Sequence, residues 1–263
     1  MGFSADWLAL REPADLAARD SALLHRAATA AGPAPLIVDL GCGTGATWRA
    51  MAPLLPKATR WRFIDNDANL LAQAGAAAGA CAELVKADLT NISSLPLDGA
   101  TLVTASALLD LVSEDWVISL AARLHTPFYA ALNFDGQMSW TPQDPRDAAI
   151  TAAFNRDQKS DKGFGPALGP ASARRACDHL RTAGFKLHVA DSPWQLGPEM
   201  AALHGQLIDG IARAAGQAGA LDAPAWARTR QDATHKTRCS VGHQDILALL
   251  PSRQPSEVTH AVG

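Results

Sequence analysis

The residues of this chain best suited to chemistry are Asp39, Gly41, Gly43 and Gly45, set within the run Leu36-Ile37-Val38-Asp39-Leu40-Gly41-Cys42-Gly43-Thr44-Gly45-Ala46. The apolar half of the run predicts a buried parallel strand, and Thr47 to Met51 predicts a helix. Between them the glycines supply a tight turn with dihedrals other residues resist, and let a ligand approach bare backbone. Gly41-x-Gly43-x-x-Ala46 fits a dinucleotide-binding turn. Asp39 argues against that ligand, because a pyrophosphate over the turn would meet a carboxylate at the strand end. S-adenosylmethionine brings an ammonium, a sulfonium and no phosphate, so the same acid attracts it.

The stretch from Val38 to Gly45 also resembles the first motif of class I S-adenosylmethionine-dependent methyltransferases. Trp61-Arg62-Phe63-Ile64-Asp65 predicts a second strand ending in an acid roughly twenty residues beyond the glycines, where a carboxylate can accept both ribose hydroxyls. Asp65-Asn66-Asp67 resembles the second motif of that family, with Asp67 as N-cap of a helix from Ala68 to Gly79. Glu83 to Leu89 predicts a third strand, and the resemblance implies that Asp88 or its neighbour Leu89 contacts the adenine amino group. Thr101 to Ala105 predicts the fourth. Ser106-Ala107-Leu108-Leu109 then stands where relatives that methylate DNA bases carry an acid or Asn followed by Pro-Pro-aromatic, and so resembles the small-molecule branch. Ser106 falls at the strand end with the other cofactor residues. For the cofactor's carboxylate the expected partner is the guanidinium of Arg11, with Arg19 as the other candidate.

These residues need a scaffold that brings strand ends together. Strands are also expected over Phe128 to Phe134, Phe185 to Ala190 and Cys239 to Ala248. The expected fold is α/β, a doubly wound, mostly parallel seven-stranded sheet with an N-terminal helical cap and helical insertions after strands 5 and 6. One domain spans 1–263: the cap over 1–33, a cofactor half over 34–134, a lid over 135–170, remaining helices and strands over 171–250, and a tail over 251–263. The cap reads as helical from residue 4 to residue 30, broken at Pro13, with Leu16, Leu23 and Leu24 packing inward. A helix from Asp144 to Lys159 is expected inside the lid, another from Pro170 to Ala183, and two more over residues 198–235 split near Gly219.

Composition narrows the partners. With 263 residues, 48% of them hydrophobic and 19% charged, the chain can bury a full core. A net charge of -3 gives no general attraction to phosphate backbones, so the expected partner is a small molecule rather than nucleic acid. Cys42, Cys81, Cys177 and Cys239 are widely spaced, which predicts free thiols and no metal site. No signal-like N-terminus or membrane-length apolar run stands in the sequence; the expectation is a cytoplasmic protein with no membrane partner, its oligomeric state left open.

Methyl transfer from a sulfonium is an in-line displacement that chiefly requires collinear atoms and exclusion of water. A base is needed only if the accepting atom must lose a proton early. His188 and His243 are the candidates, with His204 a third. Acceptor-binding residues are expected in the lid: Asn133, Asp135, Trp140, Gln158, Lys162 and Phe164, the last between Gly163 and Gly165. The expected function is transfer of the methyl group to a small polar or heteroaromatic metabolite. A nicotinamide-dependent oxidoreductase and a non-catalytic S-adenosylmethionine-binding protein are the alternatives.

Overall fold

The computed structural model describes residues 3–251. Eight strands form one sheet: β1 Leu36–Leu40, β2 Arg60–Asp65, β3 Ala82–Lys86, β4 Leu102–Ser106, β5 Phe128–Thr141, β6 Lys186–Asp191, β7 Trp194–Leu196 and β8 Arg238–Leu249. Their order is β3-β2-β1-β4-β5-β8-β6, with β7 paired to β8 off this path. β1 to β5 pair in parallel and β8 runs antiparallel between β5 and β6. This is the expected doubly wound sheet, with the short β7 added to the seven strands read from the sequence. Among the described residues no helix is long and apolar enough to cross a membrane.

Both faces are covered. On one, α5 Glu114–Arg123 and α7 Ser172–Thr182 bury Trp116, Leu120, Ala176 and Leu180 against Val38, Val103 and Ala130. On the other, α2 Ser21–Ala30, α3 Ala46–Met51 and α4 Ala68–Ala78 bury Leu23, Met51 and Leu71 against Ile37, Phe63 and Tyr129. Successive residues of a strand point to opposite faces, so Ile37 and Val38 serve different cores.

The N-terminal region corrects one expectation. α1 Ala5–Ala18 runs straight through Pro13, and the break falls at Arg19 and Asp20. Asp20 caps α2 by accepting the Leu23 amide at 2.7 Å, a stronger boundary signal than one proline. Leu16 is 58% exposed and packs nothing inward, whereas Leu23 and Leu24 are buried as expected.

A second correction concerns strand 5 and the segment after it. β5 does not stop at Phe134 but continues to Thr141, its second half pairing with the start of β8, on which β7 also pairs. α6 Asp147–Asp157 packs with α8 Ala201–Gln217 and α9 Ala223–Gln231 around a third core of Trp140, Ile150, Trp194, Ile208 and Trp226. The two insertions expected separately therefore build one cap. Asp147 pins it by accepting from Trp226 Nε1 at 2.8 Å and pairing with Arg230. The third strand stops at Lys86, short of Leu89, because Asp88 turns the chain by accepting the Thr90 amide at 2.9 Å. The expected tail from Pro251 lies outside the described residues but for Pro251 itself.

Candidate functional site

The glycine turn is built as its composition requires. Gly41, Gly43 and Gly45 have φ of 67°, 54° and 88°, in the region an L side chain avoids. The Gly41 and Cys42 amides donate to the Ile64 carbonyl, tying the turn to β2. Asp65, at the end of β2, accepts the Gly43 amide at 2.9 Å through Oδ2 and the Asp67 amide at 2.9 Å through Oδ1. Those bonds hold the carboxylate at the mouth of the turn, each oxygen keeping a lone pair for a further donor. Asn66 beside it is exposed and Asp67 caps α4 as expected. Leu89 lies 3.5 Å from where a Gly41 Cβ would stand, and its carbonyl accepts Trp116 Nε1 at 2.7 Å. Asp88, by contrast, is exposed.

Beneath the turn is a buried polar group. Asp39 accepts from Thr104 Oγ1 at 2.7 Å through Oδ1, while Oδ2 has no partner. Burial pushes its carboxyl up to about 7, against the Thr104 hydrogen bond and the Arg19 charge. Arg19 follows the end of α1 and is 7% exposed; its Nη2 donates to Ser106 Oγ at 2.8 Å, and Nη1 is unpartnered. Ser106 also accepts from Thr47 Oγ1 at 3.2 Å. Cys42 lies between Asp39 and Asp65, and burial with those two charges raises its thiol, so it is no nucleophile.

Arg11 does not reach this group. Its guanidinium is held by Asp15 at 2.9 and 3.0 Å and lies over the Trp194 ring, 4.9 Å from the centroid. Arg19, the other candidate, is the one whose guanidinium meets Ser106 at the end of β4. The reason is register: Arg19 stands just past the end of α1, two turns beyond Arg11, and only it ends beside β4.

α1 covers the turn. Leu8 Cδ1 lies 3.1 Å from the Cβ position of Gly43, and Glu12 pairs with Arg49, whose Nη1 donates to the Thr44 carbonyl at 2.6 Å. Ala107, just after β4, and Leu132, inside β5, adopt φ of 49° and 57° without being glycine. Such backbone persists only where surroundings hold it, commonly at functional sites. The Ala107 amide donates to Ala131 O, and the Leu132 amide to Asp245 Oδ1 at 2.8 Å. Asp245, fully buried on β8, also accepts from Tyr129 and Ser192.

The candidate bases separate. His188 is set on edge strand β6 against Arg26, which approaches both ring nitrogens, away from the turn. His204 lies in the cap core, accepting Trp140 Nε1 at 3.2 Å. Neither is at the strand ends. His243 lies nearer: it pairs in register with Phe134, beyond Ala131 where β5 stops pairing with β4, its ring 6.2 Å from Phe134 and 5.2 Å from Trp194, its Nδ1 unpartnered. Burial drives it down to about 3, with Arg11 contributing, so it is neutral.

Most of the expected acceptor residues are engaged elsewhere. Asn133 has no exposed surface and donates to Ala130 O and Gln244 O, closing a bulge in β5. Asp135 points to the opposite face from Phe134, across Gly242, and binds the Gln137 amide. Trp140 is buried against Trp226 in the cap. Gln158 and Lys162 both donate to Asp157. Phe164 stands edge-on to Trp116 at 6.2 Å, beside a surface cleft of about 610 Å³ that it lines with Thr90, Ser113 and Arg123. Thr104 and Asp110 carry no motif in the sequence; Asp110 shows there only as an acid within the apolar run Ala107 to Val112 after strand 4.

With that geometry in view, residues 37–127 match the family model described as a methyltransferase domain. That stretch is a methyltransferase domain, and the sheet that holds it has the class I methyltransferase fold. Its cofactor is S-adenosylmethionine, which sets the nicotinamide alternative aside. The residues fit: Asp39 Oδ2 suits an ammonium, Arg19 Nη1 a carboxylate, and Asp65 a ribose. No curated protein matches by sequence. Among solved structures, the methyltransferase domain and its cap are similar to cyclopropane synthase MmaA2 from Mycobacterium tuberculosis, at 13% identity over 94% of each chain with a TM-score of 0.52. They are also similar to geranyl diphosphate C-methyltransferase from Streptomyces coelicolor A3(2), at 12% identity over 88% of this chain and 79% of that one, with a TM-score of 0.50. At such identities the likeness is one of fold.

Proposed function

We propose that this methyltransferase methylates a small polar or heteroaromatic metabolite, bound between α1, the end of β4 and the β5 bulge. The observation that carries this reading is two pairs of unpartnered buried polar atoms: Arg19 Nη1 and Asp39 Oδ2, whose charges interact, and Asp110 Oδ1 and His243 Nδ1, both within reach of the Arg11 charge. Buried polar atoms are nearly always paired, so a cluster of free ones is complementary to a polar ligand. Arg19 and Asp39 match the two ends of an amino acid and so suit the methionine part of the cofactor. The other two remain for the acceptor.

The surroundings favour a compact acceptor. α1 roofs the site, and its Asp15 and Arg19 are buried, which leaves little room for a nucleic-acid strand. Arg11 is neutralised by Asp15 and Arg19 is assigned to the cofactor, so neither is left for a polyanionic acceptor. The bound cofactor supplies an electrophilic methyl group; the chain orients both partners and excludes water. Four free cysteines suit a reducing compartment such as the cytoplasm.

The test is incubation with methyl-labelled S-adenosylmethionine and the small-molecule fraction of a cell extract, with DNA and RNA as parallel acceptors. Label in a metabolite of low mass, with S-adenosylhomocysteine formed in equal amount, supports the reading. Label in nucleic acid, or cofactor binding with no transfer to any fraction, overturns it.

A further inference from the structure

Four elements meet at the acceptor side of the roof. Arg11 of α1 lies over Trp194 of β7, Trp194 lies against His243 of β8, and His243 against Phe134 of β5. The Phe134 amide faces Asp110, in the loop after β4, and the Gly169 amide closes on the Asp110 carbonyl at 3.0 Å. Within this ring of contacts Asp110 Oδ1 and His243 Nδ1 are sealed from solvent without partners, and His243 is only 6% exposed. The nearest cation does not fill the gap. Arg11 spends Nε and Nη2 on Asp15, whose Oδ1 also accepts Trp194 Nε1 at 2.9 Å. Its charge reaches Asp110, but no hydrogen bond from it reaches Oδ1.

We infer that Asp110 is the base of the transfer, its Oδ1 receiving the proton of a neutral O–H or N–H acceptor that His243 Nδ1 helps to hold. This rests on the function proposed above and narrows its substrate class to a protonated heteroatom, such as a phenol, an enol or a ring N–H. In the step, a lone pair on the acceptor atom forms the new bond to carbon. The carbon–sulfur bond breaks with its pair remaining on sulfur, the acceptor's proton passes to the Asp110 carboxylate, and it leaves to water with the product. Charge balances: the sulfonium and carboxylate become a thioether and a carboxylic acid.

The environment tunes Asp110 for this work. Burial pushes its carboxyl up to about 6, while its own amide, Arg11 and the Phe134 amide hold it down. It is therefore a carboxylate at neutral pH and a better base than an exposed aspartate. The other charged or titratable groups facing this corner are Arg11 and Asp15 of α1 and the neutral His243 of β8.

The experiment follows the labelled-methyl reaction with the extract fraction across pH, and locates the methyl group in the product by NMR. The expected product carries it on oxygen or nitrogen, and the turnover of the wild type falls on acidification with a midpoint near pH 6. Asp110→Asn should lose about 100-fold or more in turnover, while calorimetry shows unchanged S-adenosylhomocysteine affinity. Asp110→Glu should restore part of the rate. Arg11→Gln should move the midpoint upward by removing the neighbouring cation. Carboxyl-carbon NMR of the free protein should show a resonance titrating near pH 6 that Asp110→Asn lacks. A methyl group on carbon, a pH-independent wild-type rate, or an Asp110→Asn enzyme with unaltered turnover overturns the inference while leaving the methyltransferase reading intact. Should Asp110→Asn fail to fold, the wild-type profile and the Arg11→Gln shift decide alone. Failure to bind the cofactor or to transfer label at all would instead sink the underlying function, and the base with it.

Discussion

The Asp65 carboxylate and the Gly43 amide, 2.9 Å apart, join the two cofactor motifs into one unit. An acid at the end of one strand thereby sets the shape of the turn that leaves its neighbour. Asp65→Ala should remove charge-assisted bonds to the ribose, each worth about 1.5 to 3 kcal/mol, and free the turn as well. Calorimetry should show S-adenosylhomocysteine binding weakened by roughly ten- to a hundredfold. Undiminished affinity would place the ribose elsewhere.

Arg19 and Arg11 make a contrasting pair. Arg19→Met should weaken S-adenosylhomocysteine binding by about tenfold or more, the value of a charged hydrogen bond, yet leave adenosine affinity unchanged, because only the amino-acid end meets the guanidinium. Arg11→Gln should leave affinity for both compounds in place, since Arg11 is committed to Asp15 and Trp194. Equal losses for both ligands in Arg19→Met would remove the carboxylate assignment.

Phe164 was expected over the acceptor, and it leans on Trp116, whose Nε1 holds the Leu89 carbonyl. Phe164→Ala should therefore act on stability, costing about 1–2 kcal/mol for a part-buried ring in an edge-to-face pair. A melting temperature lower by several degrees, with acceptor KM unchanged, is the expected result. Lost turnover at an unchanged melting temperature would return Phe164 to the lid.

Acid should destabilise the cap through His204. Burial, with Arg230 nearby, holds this ring down to about 4. Its folded value lies below the ordinary 6.5, so between pH 6.5 and about 4 the unfolded chain binds more protons, and stability falls as pH falls. His243 acts in the same direction. His204→Gln cannot be protonated there, so the melting temperatures of wild type and variant should converge between about pH 7 and pH 5. A gap that stays constant would show that His204 does not change protonation on unfolding.

By itself the sequence determined the features whose cause is local. The glycine turn, the acid ending the second strand and the Asp67 helix cap are each specified by a few adjacent residues, since unusual φ, strand period and capping are short-range demands. Alternating strands and helices likewise implied the doubly wound sheet, and with it a site at the strand ends. Tertiary structure decided what depends on distant partners. Arg19 meets Ser106 across 87 positions of chain, Trp194 reaches Asp15 across 179, and α6 shares a core with α8 and α9 although α7, β6 and β7 intervene. Asp15, four residues on, is the one local feature that sets Arg11 apart, and only the folded chain brings Arg19 beside β4. Asp110 was visible only as a break in an apolar run. Its unpartnered oxygen and its raised proton affinity arise from burial where α1, β5 and the segment at Gly169 approach it from separate parts of the chain, and only folding assembles them.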